Sequence, residues 1–131
     1  MKKAVDVVIS NNKNQILILK RSPIESHYPS IWDFPGGGVR KGEDLKEAAE
    51  REVKEEAGFI VKTDDRYFYI FSCKSDPKIE IFAFKGYLVG GEIVLSQEHT
   101  EFKWISKAEY KNFEYTPGVT AIINEFFKNR N

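Results

Sequence analysis

The chain has 131 residues, the length of one ordinary domain, and 41% hydrophobic with 14% aromatic residues is enough to build a core of normal size. Its 20 basic and 20 acidic residues cancel, which removes the bulk electrostatic case for an anionic membrane surface or an extended nucleic-acid footprint. Cys73 is the only cysteine, so neither an intrachain disulfide nor a four-cysteine zinc site can form. The apolar runs, such as Ala4 to Ile9 and Ile16 to Leu19, are far too short to span a bilayer, and Asp6 interrupts the region a signal peptide would need. The expectation is a single cytoplasmic domain over residues 1–131.

Ala4 to Ser10 and Gln15 to Lys20 are β-rich and joined by Asn11-Asn12-Lys13-Asn14, whose side chains tolerate left-handed conformations, which predicts a hairpin. Arg21 to Ser30, with two prolines, reads as a loop, and Ile31 to Phe34 as a short apolar piece running into Pro35 and three glycines. Asp44 and Glu47 form a capping box ahead of strong helix formers at 45–57, with Gly58 as a left-handed stop. Phe59 to Lys62, Tyr67 to Cys73, Ile79 to Val89 and Glu92 to Leu95 read as strands, with Gly90-Gly91 as a tight turn. Ser106 to Asn112 reads as a short helix capped by Ser106 with Glu109. Pro117 to Lys128 reads as an amphipathic helix burying Val119, Ile122, Ile123, Phe126 and Phe127. Helices placed mid-chain and at the end, among a majority of strands, predict an α/β fold with a mixed sheet covered on both faces.

The helix at 45–57 carries an anomaly. At about 100° per residue, Leu45, Ala48 and Ala49 define an apolar stripe whose continuation lands on Glu52, Glu55 and Glu56. Like charges three and four residues apart repel, more so when partly desolvated. A divalent cation, a neighbouring Arg or Lys, or protonation of one member would offset that cost, and oxygen-only ligands suit Mg²⁺, Mn²⁺ or Ca²⁺ better than zinc. A solvated Glu/Lys face is the plain alternative for such a run. The preceding Pro35-Gly36-Gly37-Gly38 reads as a Gly-rich loop that lets backbone approach a ligand closely, but it has neither the ending of a P-loop nor the spacing of a dinucleotide fingerprint.

Gly37, Glu43, Arg51, Glu52, Val53, Glu55, Glu56, Gly58 and Phe59 occupy every fixed position of G-x5-E-x7-R-E-U-x-E-E-x-G-U, where U is a bulky apolar residue. This pattern resembles the signature of the Nudix hydrolases, with residues 37–59 as the Nudix box. The resemblance implies an α/β/α sandwich and Mg²⁺-dependent hydrolysis of a nucleoside diphosphate linked to a group X, with Mn²⁺ as a substitute ion. Carried over by position, it implies that Glu55 and Glu56 bind metal, that Glu52 is a ligand or the base, that Arg51 orients Glu52, and that the Gly36 carbonyl completes the coordination. Glu43 is implied as a supporting residue that binds metal through water or pairs with Arg51. Glu98 matches a late acid that serves in some members as ligand or general base.

Clustered carboxylates can act on a polyanionic pyrophosphate only by way of divalent ions. Arg21 resembles an arginine that contacts substrate phosphates in some relatives. Gly37 and Gly38 are expected at the substrate, and Trp32, Phe34 or Tyr28 are placed to stack on a base, with core packing as the alternative. The short Phe-Pro-Gly-Gly approach resembles the branch that removes oxidised purine nucleotides, yet Tyr115 to Val119 lacks the asparagine that reads the oxidised base there. ADP-ribose hydrolases carry a proline past the box, and the nearest here, Pro77, comes late in what reads as a hairpin. His27 and His99 fall in polar stretches and read as exposed, and Cys73 reads as a small core residue. The expected partner is a small nucleotide, with the homodimer left open. A non-catalytic nucleotide sensor on the same fold is the rival reading, and the complete box argues against it.

Overall fold

The computed structural model describes residues 2–74 and 78–128, so the hairpin expected at Pro77 lies outside the described residues. In chain order these residues form β1 (Lys2–Ser10), β2 (Ile16–Arg21), β3 (Trp32–Asp33), β4 (Gly36–Gly38), α1 (Leu45–Ala57), β5 (Phe59–Thr63), β6 (Tyr69–Cys73), β7 (Ile79–Gly91), β8 (His99–Ile105), a 3₁₀ turn (Tyr110–Asn112) and α2 (Val119–Phe127). The central strands are apolar on both faces because both faces are covered. Val5, Val7 and Ile9 of β1, Leu17 and Leu19 of β2, and Phe82 and Phe84 of β7 meet Ala48, Ala49, Val53 and Ala57 of α1. On the opposite face Val8, Ile16, Ile18, Ala83 and Ile105 meet Val119, Ile122, Ile123, Phe126 and Phe127 of α2. Side chains alternate with period two, so a strand clad on two sides must be apolar at both parities. The result is the expected mixed sheet between helices.

The sheet runs β3-β2-β1-β7-β5, with β4 also on β1, β6 on β7 and β8 on β2. The β1–β7 pair is parallel from Lys2 opposite Ile79 to Ser10 opposite Tyr87, and the remaining pairs are antiparallel. The expected hairpin between β1 and β2 survives only at its base, where Ser10 faces Ile16 and Asn11 Oδ1 accepts from the Lys13 and Gln15 amides. Beyond that point the two strands part, and residues 32–38 fill the wedge. β3 pairs with β2, β4 pairs with β1, and the Val7 amide donates to the Pro35 carbonyl between them. The three glycines are therefore a strand, not the loop expected from composition. A Cβ on Gly36 would lie 2.1 Å from the Val5 carbonyl oxygen, so no side chain fits.

Helix α1 forms as its local signals predict: the Glu47 amide donates to Asp44 Oδ1, the Asp44 amide donates to Glu47 Oε1, and Gly58 ends the helix at φ 79°. Four other expectations are corrected. Glu92 to Leu95 is not a strand but an extended strap on the end of α1, with the Val94 amide donating to Ala57 and the Ser96 amide to Glu56. Gly90 and Gly91 stay in β7 opposite Ile60 and Phe59 and make no turn between strands. The helix at Ser106 contracts to the 3₁₀ turn, although Ser106 and Glu109 do bond, and α2 starts at Val119 because Gly118 takes φ 91° at its N-cap. Strand β8 has charged residues between its apolar ones and gave no clear alternation in sequence; pairing with β2 makes it a strand. Among the described residues no helix is long and apolar enough to cross a membrane.

Candidate active site

The wedge between β1 and β2 brings backbone under the acidic half of α1. Glu52 and Glu56, one turn apart, are buried on the docked side of the helix. The Gly36 amide donates to Glu56 Oε1 at 2.8 Å, and a Cβ on Gly37 would lie 2.7 Å from the Glu52 carboxyl. Gly37 is thus fixed by the approach of a carboxylate, whereas a Cβ on Gly38 would meet nothing.

Arg51 is the hub on the outer side. It grips Glu43 with two bonds, Nε to Oε2 at 2.7 Å and Nη2 to Oε1 at 2.9 Å. Its Nη1 reaches Glu52 Oε1 at 2.8 Å and Glu55 at 3.2 Å, and its Nη2 reaches the Gly38 carbonyl at 3.0 Å. Arg40 adds a second cation 3.2 Å from Glu55. A guanidinium therefore offsets part of the repulsion that the helix builds up, and Glu43 pairs with Arg51 as one of its two implied roles required. The hydrogen bonds from Arg51 hold the Glu43 carboxyl down at about 2, while the same carboxylates push Arg51 up. Glu52 is raised, first by burial, with Arg51 opposing. Glu56 is raised much further, by burial and then by a hydrogen bond with Glu98.

Glu98 arrives from the strap that follows β7 and lies on the end of α1. The Ser96 amide bonds the Glu56 carbonyl, and the Ser22 amide bonds the Glu98 carbonyl at 2.8 Å, which anchors the approach to β8. Glu56, Glu98 and His99 each offer a donor atom within 4.8 Å of the other two. His99 is not the exposed loop histidine expected: its side chain is 1% exposed, and Nε2 lies 2.7 Å from Asp33 Oδ1. Asp33 in turn accepts from Arg21 Nη1 at 3.0 Å. Asp33 and Asp6 were missed as site residues. Asp6 is opposite Gly36, and burial followed by the charge of Asp33 raises its carboxyl well above the ordinary range. The sequence did carry a signal for both, since each is a lone acid inside an apolar strand segment.

A cavity of about 510 Å³ adjoins this cluster through Asp33. Phe71, Ile79, Ile81 and Cys73 give it apolar walls; Arg21, His27, Tyr28, Thr116 and Pro117 complete the lining. Cys73 is therefore a half-buried wall residue, not a core one. Trp32 and Phe34, expected as stacking residues, are only 7% and 2% exposed in the α2-side core, with Trp32 edge-on to Phe113 at 5.5 Å. Neither has a face free for a base, whereas Tyr28 does. Arg21 lines the cavity, but it also donates to the His27 and Tyr28 carbonyls, bonds Asp33 and lies 3.6 Å from Glu25, so much of its capacity holds the 22–30 loop in place.

The donor set fits a divalent ion. Glu56, Glu98 and His99 offer donor atoms within 4.8 Å of one another, Glu52 and Glu56 lie against the Gly37 and Gly36 backbone with no intervening side chain, and Glu55 faces Arg51 and Arg40 on the outer side. The buried His99 Nδ1 has no hydrogen-bond partner among the described residues.

These features define a carboxylate-lined cleft beside a partly apolar cavity. The family model of the NUDIX domain matches residues 1–126, and the chain belongs to the Nudix family. A Bacillus subtilis (strain 168) protein provisionally named an 8-oxo-dGTP diphosphatase is 32% identical over 123 residues, 92% of this chain and 76% of that one. An RNA pyrophosphohydrolase of Campylobacter jejuni (strain 81-176) is 32% identical over 127 residues, 88% of this chain and 75% of that one. The crystal structure of the MutT protein from Methanosarcina mazei Go1 superposes with a TM-score of 0.83 at 30% identity, covering 99% of this chain and 96% of that one.

Proposed function

We infer that this Nudix hydrolase cuts a phosphoanhydride bond in a small nucleotide, a (d)NTP or a modified relative, releasing a nucleoside monophosphate and pyrophosphate or a phosphorylated remainder. The observation that carries the reading is the meeting of Glu52, Glu56 and Glu98 with the Gly36–Gly37 backbone at the edge of an open, partly apolar cavity. The names of two relatives, an 8-oxo-dGTP diphosphatase and an RNA pyrophosphohydrolase, support this chemistry. The cavity volume favours a mononucleotide-sized contact.

Glu52, Glu55, Glu56, Glu98 and the Gly36 carbonyl would hold Mg²⁺, with Mn²⁺ as a substitute. Such an ion supplies neutralisation of the phosphates and makes nearby water easier to deprotonate. The protein's own groups do the rest. Arg51 fixes the torsions of Glu52 and Glu55, Gly36 N–H aims Glu56, and Glu98 stands exposed at the rim where a water would be deprotonated. Glu52 is the other candidate base. Tyr28, Phe71 and Ile81 of the cavity lining would give the base its apolar contacts, and Thr116 would supply a hydroxyl.

The test is release of nucleotide and phosphate from canonical and oxidised dNTPs, ADP-ribose, dinucleoside polyphosphates and 5′-triphosphorylated RNA, with Mg²⁺ or Mn²⁺. The expected result is metal-dependent turnover of a mononucleotide that falls at least tenfold in Glu55→Gln. Nucleotide binding without turnover of any substrate would overturn the hydrolase reading in favour of a sensor. Glu52→Gln and Glu98→Gln separate the two candidate bases, since loss of a positioned base costs about 10²–10⁴-fold in kcat.

A further inference from the structure

We propose that His99 is a nitrogen ligand of the divalent ion held by Glu56 and Glu98, which makes this a mixed oxygen and nitrogen centre. The proposal rests on the hydrolase reading above and adds to it a donor outside the box. Four observations converge. His99 offers a donor nitrogen within 4.8 Å of oxygens on both Glu56 and Glu98. Its ring is buried, with a side chain 1% exposed, so solvent does not satisfy it. Nδ1 has no hydrogen-bond partner among the described residues. The other nitrogen, Nε2, faces Asp33 Oδ1 at 2.7 Å.

The last two observations fix the chemistry. An aspartate that accepts from Nε2–H sets the imidazole tautomer and leaves a lone pair on Nδ1. A carboxylate behind one ring nitrogen is the usual support of a histidine whose other nitrogen binds metal. Asp33 is itself pinned by Arg21 Nη1 at 3.0 Å, so the ring is held from behind by a fixed group. A buried nitrogen left unpaired is costly, and a cation attracted by Glu56 and Glu98 removes that cost by taking the lone pair of the neutral ring. Imidazole favours transition ions over Mg²⁺, so His99 shifts the preference of the site toward Mn²⁺.

The experiment loads the full-length protein, grown with ¹⁵N-imidazole histidine, with Mn²⁺ and reads electron spin echo modulation, alongside Mn²⁺ and Mg²⁺ affinities by titration calorimetry. The expected result is ¹⁵N coupling to the bound ion, kept in His27→Gln and lost in His99→Gln, with the Mn²⁺ over Mg²⁺ affinity ratio about tenfold lower in the latter. The native spectrum alone decides the matter if His99→Gln does not fold. Bound Mn²⁺ without histidine coupling overturns the ligand assignment and leaves the hydrolase reading standing. Failure of Mn²⁺ to bind at all overturns both.

Discussion

The two helices cover opposite faces of one sheet and do so on different terms. Helix α2 docks through Val119, Ile122, Ile123, Phe126 and Phe127, large apolar side chains with no acid among them. Helix α1 docks through Ala48, Ala49, Val53 and Ala57, and buries Glu52 and Glu56 in the same contact. Small residues bring α1 close to the glycine strand, and the acids then lie against backbone. Burial of a large apolar side chain stabilises the fold by about 1.5–3 kcal/mol, whereas burial of a carboxylate opposes folding unless it is paired. One helix supplies stability and the other spends part of it on a site.

That contrast can be broken most sharply at Glu56. Glu56→Gln keeps an acceptor for the Gly36 amide and removes a buried acid. Turnover is expected to fall by about 10²-fold or more, while the midpoint of urea unfolding at pH 8 without added metal holds or rises. A large loss of stability would show that the acid is structural. Next comes Gly37→Ala, whose Cβ would displace the Glu52 carboxyl, the far end of a flexible side chain. Stability should change by less than about 1 kcal/mol and kcat/KM should fall by about 10²-fold, as a misplaced reacting group allows.

The converse experiment is Ile122→Ala on α2. Its expected cost is about 2–5 kcal/mol in denaturant unfolding, with kcat of the folded fraction unchanged. Equal loss of kcat would mean that the two faces are mechanically coupled. The smallest effect concerns Glu43, whose carboxyl is held at about 2 against an ordinary value of 4.5, chiefly by hydrogen bonds from Arg51. The folded state binds fewer protons than the unfolded chain between those values, so stability rises with pH across that window. The contribution is complete above about pH 4.5 and lost as pH falls toward 2. Glu43→Gln should be the less stable protein at pH 7, and acid titration should bring the two curves together.

Helix α1 was legible to the residue because its start, stripe and stop are written within 15 positions: Asp44, Glu47, the alanines and Gly58. The box acids followed from the same stripe. What was not legible depends on distant partners. The glycines read as a loop because nothing local announces that β1 and β2 part after one pair of residues and need a filler. His99 read as exposed because its aspartate lies 66 positions away. Trp32 and Phe34 stand beside the site in sequence, but strand alternation turns Trp32 into the α2-side core, and Phe34 is buried with it. The cavity draws on residues 21, 28, 71, 81 and 116, a set that only the folded sheet assembles.

Asp33 accepts from Arg21 on the cavity side and from His99 on the acidic side. One carboxylate thus ties Arg21, at the cavity wall, to His99, beside Glu56 and Glu98, and it braces two residues that already face each other where β2 meets β8. A substitution at Arg21 is therefore expected to loosen Asp33 and, through it, the ring of His99. Phe71, Ile81 and Thr116 line the same cavity and, among the described residues, make no bond to Asp33, so changes there are expected to alter ligand preference while the acid cluster is left alone.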